Sequence, residues 1–339
     1  MVKISVVILN WNGLNHLQTF IPKVLEYTQI EGVEIVVVDN GSSDISVQFI
    51  ETFKDIRVIC LDKNYGFADG YNKGLKMIDS EYFVLLNSDV EVTPNWLMPM
   101  INFLEENNEY AACQPKILSY TLRTSFEYAG ACGGFIDALG FPFCRGRILN
   151  KVEEDHGQYD SIAQVFWASG ACLVIKSNVF YECGELDGNL FAHMEEIDLC
   201  WRIQNRGYKI ACFPQSTIYH VGGGTLPNNN PRKLFLNYRN NLLILFKNLP
   251  TRRIWYILFI RLILDGISAF IYLMKGSVSY FKAVFSAHIE FYKLIGKYKI
   301  ERQRLKKHNN KTKLNTIYTR SIVFSFFVRK QKKYSSLKF

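Results

Sequence analysis

Two aspartates follow buried-looking apolar runs in this chain. Asp39 comes directly after Ile35-Val36-Val37-Val38, and Asp89 comes three residues after the run Tyr82–Leu86. A carboxylate at a strand end can hold a divalent cation against a diphosphate, and open α/β sheets hold their ligands at that edge. An Asx turn closing a strand has the same letters, so one such Asp is ordinary turn chemistry. Two on one edge make a ligand site as good a reading. A third group is the run Phe191-Ala192-His193-Met194-Glu195-Glu196-Ile197-Asp198, with three carboxylates in four residues at the start of a helical pattern. Acids in a first turn complement the helix dipole by about 0.3–1 kcal/mol each. A carboxylate crowded by acidic neighbours is also raised toward neutral pKa, the property a general base needs. Finally, the strand-like Thr217-Ile218-Tyr219 delivers His220 into Val221-Gly222-Gly223-Gly224-Thr225. A histidine ahead of three glycines can approach a ligand closely, or can be a packed side chain with its hydrogen bonds satisfied.

The elements around these residues alternate in kind. Strand Ile4–Leu9 ends in Asn10-Trp11-Asn12-Gly13, and a helical pattern follows (Leu17, Phe20, Ile21, Val24, Leu25). Strand Ile35–Val38 ends in Asp39-Asn40-Gly41-Ser42-Ser43-Asp44, and a second helical stretch leads to strand Arg57–Leu61. After Asn64-Tyr65-Gly66-Phe67-Ala68 another helix reaches the run that precedes Asp89. Continuous apolar strands alternating with helices predict βαβ units and a parallel sheet covered on both faces. Strands ending repeatedly in Asn/Asp/Gly loops predict a nucleotide-sized crevice along one edge. From Gln114 to Gly146 the pattern loosens into glycine-rich sequence, read as a substrate loop or a long surface excursion. A strand is expected again over Val165–Ile175.

The totals bound the reading. The chain has 339 residues, 48% hydrophobic and 14% aromatic, enough for a sizeable core. Its net charge of +9 is uneven. Residues 232–339 carry 24 Lys and Arg against 3 acids, leaving 16 bases and 28 acids over residues 1–231. A domain of 1–231 bearing the chemistry and a basic, aromatic-rich attachment region of 232–339 are expected, not a uniform nucleic-acid binder. The eight cysteines include no C-x-x-C pair, so free thiols in a reducing compartment are expected. With no apolar leader and cleavage site at the N-terminus, that compartment is read as the cytoplasm.

Taken in order, the segments VVILNWNG (Val6–Gly13), VVVDNGSSD (Val36–Asp44), NYGFADGYN (Asn64–Asn72), LNSDVEV (Leu86–Val92), WASGACLVIK (Trp167–Lys176), FAHMEEIDLCWR (Phe191–Arg202) and IYHVGGGT (Ile218–Thr225) resemble the inverting glycosyltransferases of family 2, in particular their rhamnosyltransferase-like branch. The resemblance covers nearly all of residues 4–245. It implies the α/β GT-A fold, a mainly parallel mixed sheet flanked by helices, with the basic C-terminal region as a helical extension. It also implies a nucleoside-diphosphate sugar donor. Asp39 matches the acid that meets the donor's nucleobase, Asn10 and Trp11 the rim around base and ribose, and Asn64 and Asn72 the segment that closes over the nucleoside. Asp89 matches the last acid of a D-x-D motif that holds Mn²⁺ or Mg²⁺, with Asn87 where the first acid often stands, and His220 matches a further metal ligand. Glu196 matches the general base, with Glu195 as the second candidate. The expected activity is transfer of a sugar to a hydroxyl of a glycan or polyprenyl-diphosphate-linked acceptor in cell-surface polysaccharide synthesis. No Q-x-x-R-W motif follows the base, so single additions are expected. The rival classes are a nucleotidyltransferase, which would want a basic glycine-rich loop after the first strand, and a degenerate sugar-nucleotide-binding or membrane scaffold protein.

The tail contains 21 largely apolar residues, 254–274, interrupted by Arg261 and Asp265. That length suffices for a span, but a charge at mid-bilayer costs about 2.5–3.5 kcal/mol on insertion scales. Arg261, Asp265, Ser268, Tyr272 and Lys275 fall on one helical stripe, which predicts a helix lying in the membrane interface or docked on the catalytic domain. Phe281, Val284, Phe285, Ile289, Tyr292 and Ile295 form a second apolar face. The basic runs Lys297–Lys313 and Arg329–Lys333 suit anionic lipid. The expected location is peripheral on the cytoplasmic face of the membrane, with a span through 254–274, or two helices completing a soluble fold, as the alternatives.

Overall fold

A computed structural model describes residues 2–222, 230–306 and 314–339 of the chain. The first part alternates as its sequence predicts: β1 (Ile4–Asn10), α1 (Leu14–Tyr27), β2 (Val33–Asp39), α2 (Ser46–Ile50), β3 (Ile56–Cys60), α3 (Gly66–Leu75) and β4 (Tyr82–Asn87). There follow β5 (Val90–Val92), α4 (Met98–Glu106), β6 (Tyr110–Ser119), β7 (Gly134–Asp137), β8 (Pro142–Cys144), β9 (Arg147–Ile148), β10 (Lys151–Val152), β11 (Ala163–Gln164) and β12 (Cys172–Lys176). The remaining elements are α5 (Ser177–Glu182), α6 (Glu195–Asn205), β13 (Lys209–His220), α7 (Pro231–Asn248), α8 (Thr251–Met274), α9 (Val278–Lys306), β14 (Ile317–Tyr318) and α10 (Ile322–Phe327).

The main sheet runs β11-β13-β6-β12-β4-β1-β2-β3, with β5 added on β13. Strands β1 to β4 are mutually parallel, and β12 is antiparallel to both β4 and β6. The chain leaves β1 toward β2 and β3 on one side and returns to β4 on the other. That reversal opens a crevice at the carboxyl ends of β1, β2 and β4, where Asn10 lies opposite Asp39 and Leu9 opposite Asn87. The apolar strands are continuous because both faces are covered. Ile4, Val6, Ile8, Ile35, Val37, Val84 and Leu86 point to a core shared with α1 and α4. Their alternates Val7, Val36, Val38, Phe83 and Leu85 point to the core under α3, α6 and α7.

Three sequence expectations change. The stretch from Gln114 to Gly146 is not wholly a surface excursion: β6 occupies its first residues, Ala131 and Cys132 are buried, and Phe135, Ile136 and Phe143 are buried in strands of a second sheet, β10-β9-β8-β7-β14. Its short strands and turns carry too little periodicity to be read locally. The strand expected over Val165–Ile175 starts only at Cys172, because 165–171 is a buried connection tied to Gly134 and Ile210. The boundary at 231 does not divide two cores. Leu242, Leu243, Leu245, Phe246 and Leu249 of α7 and its exit, with Phe291, Tyr298, Tyr318 and Ile322, share one hydrophobic cluster with Leu85 and Ile197. At roughly 1.5–3 kcal/mol per buried large apolar side chain, the five from α7 alone match the net stability of a typical domain, about 5–15 kcal/mol.

Candidate active site

The floor of the crevice is built by the β1–α1 and β2–α2 loops gripping each other. Asn10 Nδ2 donates to Asp39 Oδ1 at 2.9 Å and to Ser42 Oγ at 3.1 Å. Ser42 donates to both oxygens of Asp39, from Oγ at 2.6 Å and from its backbone N–H at 2.9 Å. Asn12, at φ 49°, accepts from the backbone N–H groups of Ser43 and Asp44. Asn10 and Asp39 are buried, while Trp11 stands 47% exposed on the rim, where a flat group can stack. Asn10 Oδ1 has no hydrogen-bond partner. A Cβ at Gly13 would come 2.5 Å from that oxygen, so a larger residue there would have to shift the Asn10 amide.

Asn40, a residue the sequence reading passed over, joins this floor to α3. Its Nδ2 donates to Gly66 O and Asn64 Oδ1, and its Oδ1 accepts from Tyr65 N–H. Asn64 Oδ1 also accepts from Gly66 N–H at 2.7 Å, so its acceptor holds the loop rather than pointing outward. Asn72 requires a correction. Its amide is spent on the backbone of Leu186, donating at 2.8 Å and accepting at 3.0 Å. Being on the buried face of α3, it holds the 186–190 turn in place instead of offering atoms to a nucleoside.

At the far end of the crevice β5 pairs with β13, putting His220 opposite Val90. Asp89 Oδ1 lies 3.1 Å from His220 Nε2, with Asn87 Nδ2 at 3.5 Å from the same nitrogen. Glu127 approaches the ring from the other side, 3.6 Å from Nδ1. Asp89, Glu127 and His220 are all buried. Burial disfavours the imidazolium, but the two carboxylates outweigh it and raise His220 to about 10. Burial likewise pushes Asp89 up, and His220 more than compensates, holding it below the usual carboxylate range. Glu127 gave no sequence signal, lying in the glycine-rich stretch with no pattern around it. The glycines expected to let a ligand approach His220, Gly223 and Gly224, and with them Thr225, lie outside the described residues; Gly222 is described, in the left-handed region at φ +72°.

The third cluster sits at the start of α6. Phe191, His193 and Met194 all have φ between 64° and 75°, a conformation costing of order 1–3 kcal/mol per non-glycine residue and found where surrounding structure over-determines it. The turn presents Glu195, which is buried, and Glu196, which is partly accessible. Burial raises Glu196 to about 7, with backbone N–H groups at the helix start partly opposing the shift. Burial and the neighbouring Glu196 raise Glu195 well above the ordinary range. One oxygen of each carboxylate has no hydrogen-bond partner, nor has His193 Nε2. Five such orphan atoms therefore fall on Asn10, His193, Glu195, Glu196 and His220, and only three more are found elsewhere among the described residues. Buried polar atoms left unpaired are uncommon, so each of these calls for a partner such as water or a ligand. Asp198 pairs with Arg202 across one helical turn, as their spacing predicts, and also accepts from Lys247 and Asn248 of α7.

The turn meets the donor-side loop directly, since Phe67 and Ala68 N–H donate to Phe191 O. Among the described residues no three His, Cys, Asp or Glu side chains form a closed metal cage. Asp89 and His220 instead offer a carboxylate and, once its proton has left, an imidazole side by side, a donor set that suits Mn²⁺ or Mg²⁺.

A mixed sheet with such a crevice at its switch point is the arrangement of the GT-A fold, which the solved structures below share. Residues 5–131 match the model of glycosyl transferase family 2. It is 26% identical over 247 residues to the low-salt glycan biosynthesis hexosyltransferase Agl10 of Haloferax volcanii, covering 71% of this chain and 74% of that one. It is 20% identical over 232 residues to the N-acetylglucosaminyl-diphospho-decaprenol L-rhamnosyltransferase of Mycobacterium tuberculosis, covering 64% and 75%. Residues 1–349 of S. aureus TarS, solved with UDP, superpose with a TM-score of 0.54 at 13% identity, covering 93% of this chain and 95% of that one. GalNAc-T7, solved with UDP, GalNAc and Mn²⁺, gives 0.56 at 17% identity, but this chain spans only 48% of its length.

Proposed function

We propose that the protein is an inverting, metal-assisted glycosyltransferase that adds single sugars from a nucleoside diphosphate to a lipid-linked glycan. The observation that carries this reading is the Asp89–His220 pair, 3.1 Å apart at the mouth of the switch-point crevice. Asn10, Trp11 and Asp39 would receive the nucleoside. A divalent cation held by Asp89 and His220 would neutralise charge developing on the leaving diphosphate. Glu196, more accessible than Glu195 and raised to about 7, takes the proton from the acceptor hydroxyl. The acceptor oxygen bonds to the anomeric carbon from the face opposite the diphosphate. The bond to the diphosphate oxygen breaks with its electron pair, inverting the centre in one displacement.

Helix α8 supports a membrane-surface location. It has a mean hydropathy of 2.0 over its most apolar 18 residues and is long enough to cross a bilayer. Its polar stripe is turned inward. Arg261 bonds Asn241 and Leu139 O and stacks 3.9 Å from the Phe141 ring centroid, Asp265 pairs with Arg261 and His288, and Ser268 bonds Tyr238. Lys275 alone of that stripe is exposed. Trp255, Phe259, Ile263, Ile267, Phe270 and Met274 face outward. On α9 the expected apolar face divides: Val284 is buried against the protein, while Phe285, Ile289 and Tyr292 are exposed beside α8. A crossing by α8 would drag along α9, which packs on it and on α7 and carries Lys282, Glu290, Lys293 and Lys297. An apolar face lying in the plane of the interface, with flanking lysines and arginines on anionic headgroups, avoids that cost. The unpaired cysteines, seven of the eight buried, suit a reducing cytoplasmic side. The relatives named above, acting in glycan synthesis and on a diphospho-decaprenol acceptor, favour a polyprenyl-diphosphate glycan.

The test is turnover of UDP-, GDP- and dTDP-linked sugars with Mn²⁺ and polyprenyl-diphosphate saccharides, following the anomeric configuration of the product by NMR. Retention of configuration, or cation-independent transfer, would overturn the reading.

A further inference from the structure

The strained turn before α6 is held from α7, in the C-terminal region. Asn240 is fully buried, and its Nδ2 lies 2.9 Å from Leu190 O, 2.9 Å from Ala192 O and 2.7 Å from His193 O. Arg239 Nη2 adds contacts to Asn189 O at 3.1 Å and Leu190 O at 3.2 Å. Arg239 Nε donates to Asn240 Oδ1 at 2.9 Å, so the amide cannot flip and its Nδ2 must face the turn. Four carbonyls within five residues, 189 to 193, are thus satisfied by two adjacent side chains of another element. The one carbonyl among them left over, Phe191 O, takes the N–H groups of Phe67 and Ala68 on the donor side. The left-handed residues His193 and Met194 lie between this clamp and the two glutamates. Glu196 depends on them for direction, because the first hydrogen bond of α6 is Asp198 N–H to Met194 O.

We propose that Asn240, oriented by Arg239, is the positioning residue for the general base: it fixes the left-handed turn that aims Glu196 at the acceptor hydroxyl. The proposal rests on the reading of Glu196 as the base. A short side chain with two N–H donors suits the role, since it reaches several converging carbonyls from a helix backbone packed close by. Asn241 is a control built into the fold. Equally buried, it donates to Gly140 O and accepts from Arg261, but the structure gives it no hydrogen bond to the turn. The titratable groups that feel the charge of Glu196 are Glu195 and the Cys200 thiol. They are unchanged in all variants below.

The experiment compares full-length wild type, Asn240→Ala, Arg239→Lys, Asn241→Ala and Glu196→Gln. Turnover of the UDP-, GDP- or dTDP-sugar that wild type uses is measured across pH, with UDP–Mn²⁺ binding and Tm measured alongside. Misplacing a reacting group by about 1 Å can cost on the order of 10²-fold. Asn240→Ala is therefore expected to lower kcat about 10²-fold, to leave the donor KM within about twofold, and to displace the acid limb of the pH profile. Arg239→Lys does the same more weakly and serves if Asn240→Ala does not fold. Asn241→Ala lowers Tm without moving the acid limb. Loss of activity that tracks Tm equally in Asn240→Ala, Arg239→Lys and Asn241→Ala, or an unmoved kcat and acid limb in the first two beside an inactive Glu196→Gln, overturns the positioning role. An active Glu196→Gln overturns the base reading and the proposal with it.

Discussion

His220 stands between Asp89, 3.1 Å from Nε2, and Glu127, 3.6 Å from Nδ1, so carboxylates flank the ring on both sides. His220→Ala and Asp89→Asn should each weaken Mn²⁺-dependent UDP binding by more than about tenfold, since even supporting residues of metal sites contribute 10- to 100-fold. Titration calorimetry with and without Mn²⁺ checks this; cation-independent binding equal to wild type would refute it. The carboxylates at 195 and 196 predict the pH response. Glu196 acts as a base only when ionised and sits at about 7, so kcat should rise with pH through about 7 and level off above it. A rate that falls over that range would assign it the opposite role. Part of this was legible in the letters: acids at strand ends, three acids opening a helix, a histidine at a strand end. Which of the two glutamates remains accessible was not, because that depends on the turn at His193 and Met194, whose φ values no local preference predicts.

The elements that aim these residues were read correctly where their pattern is local. The βαβ order, the crevice at the carboxyl ends of β1, β2 and β4, and the first turn of α6 follow from periodicity and capping letters. What escaped was supplied by partners far along the chain: Asn40 reaches 26 residues to Gly66, Asn240 reaches 50 to Leu190, and Glu127 meets His220 from the second sheet's approach. Asn72 looked like a ligand contact because its neighbours in sequence are at the crevice, but helix periodicity turns it inward. Gly66 tests the junction of donor loop and base turn. It has φ +80°, and a Cβ there would lie 2.6 Å from the Phe191 ring. Gly66→Ala should destabilise the protein by about 2 kcal/mol through strain and overpacking, measured by denaturant unfolding. A change under about 0.5 kcal/mol would mean the junction is slack.

For the whole molecule, the charge asymmetry of the sequence pointed to a separate attachment device, whereas α7 and α9 are part of the catalytic core. Hydropathy alone hid this, because α7 buries its apolar face against α6, α8 and α9 and α8 turns its apolar face outward. Deleting 232–339 would unmake the fold, so membrane binding is better tested on the exposed face. Phe259 and Phe270 are 62% and 59% exposed. Replacing both by Ser should remove about 3 kcal/mol or more of apolar burial in lipid and weaken binding to vesicles containing anionic phospholipid by about 10²-fold, with Tm unchanged. Flotation of the variant equal to wild type would show that this face meets something other than lipid.

The central claim is that Glu196 takes the acceptor's proton while Asp89 and His220 hold the donor through a cation. It is tested most directly by Glu196→Gln, measuring UDP–Mn²⁺ affinity and sugar transfer on the same preparation. The account predicts affinity within about twofold of wild type and transfer reduced by 10²-fold or more, the usual scale for losing a general base. Transfer near the wild-type rate, with binding intact, would contradict it.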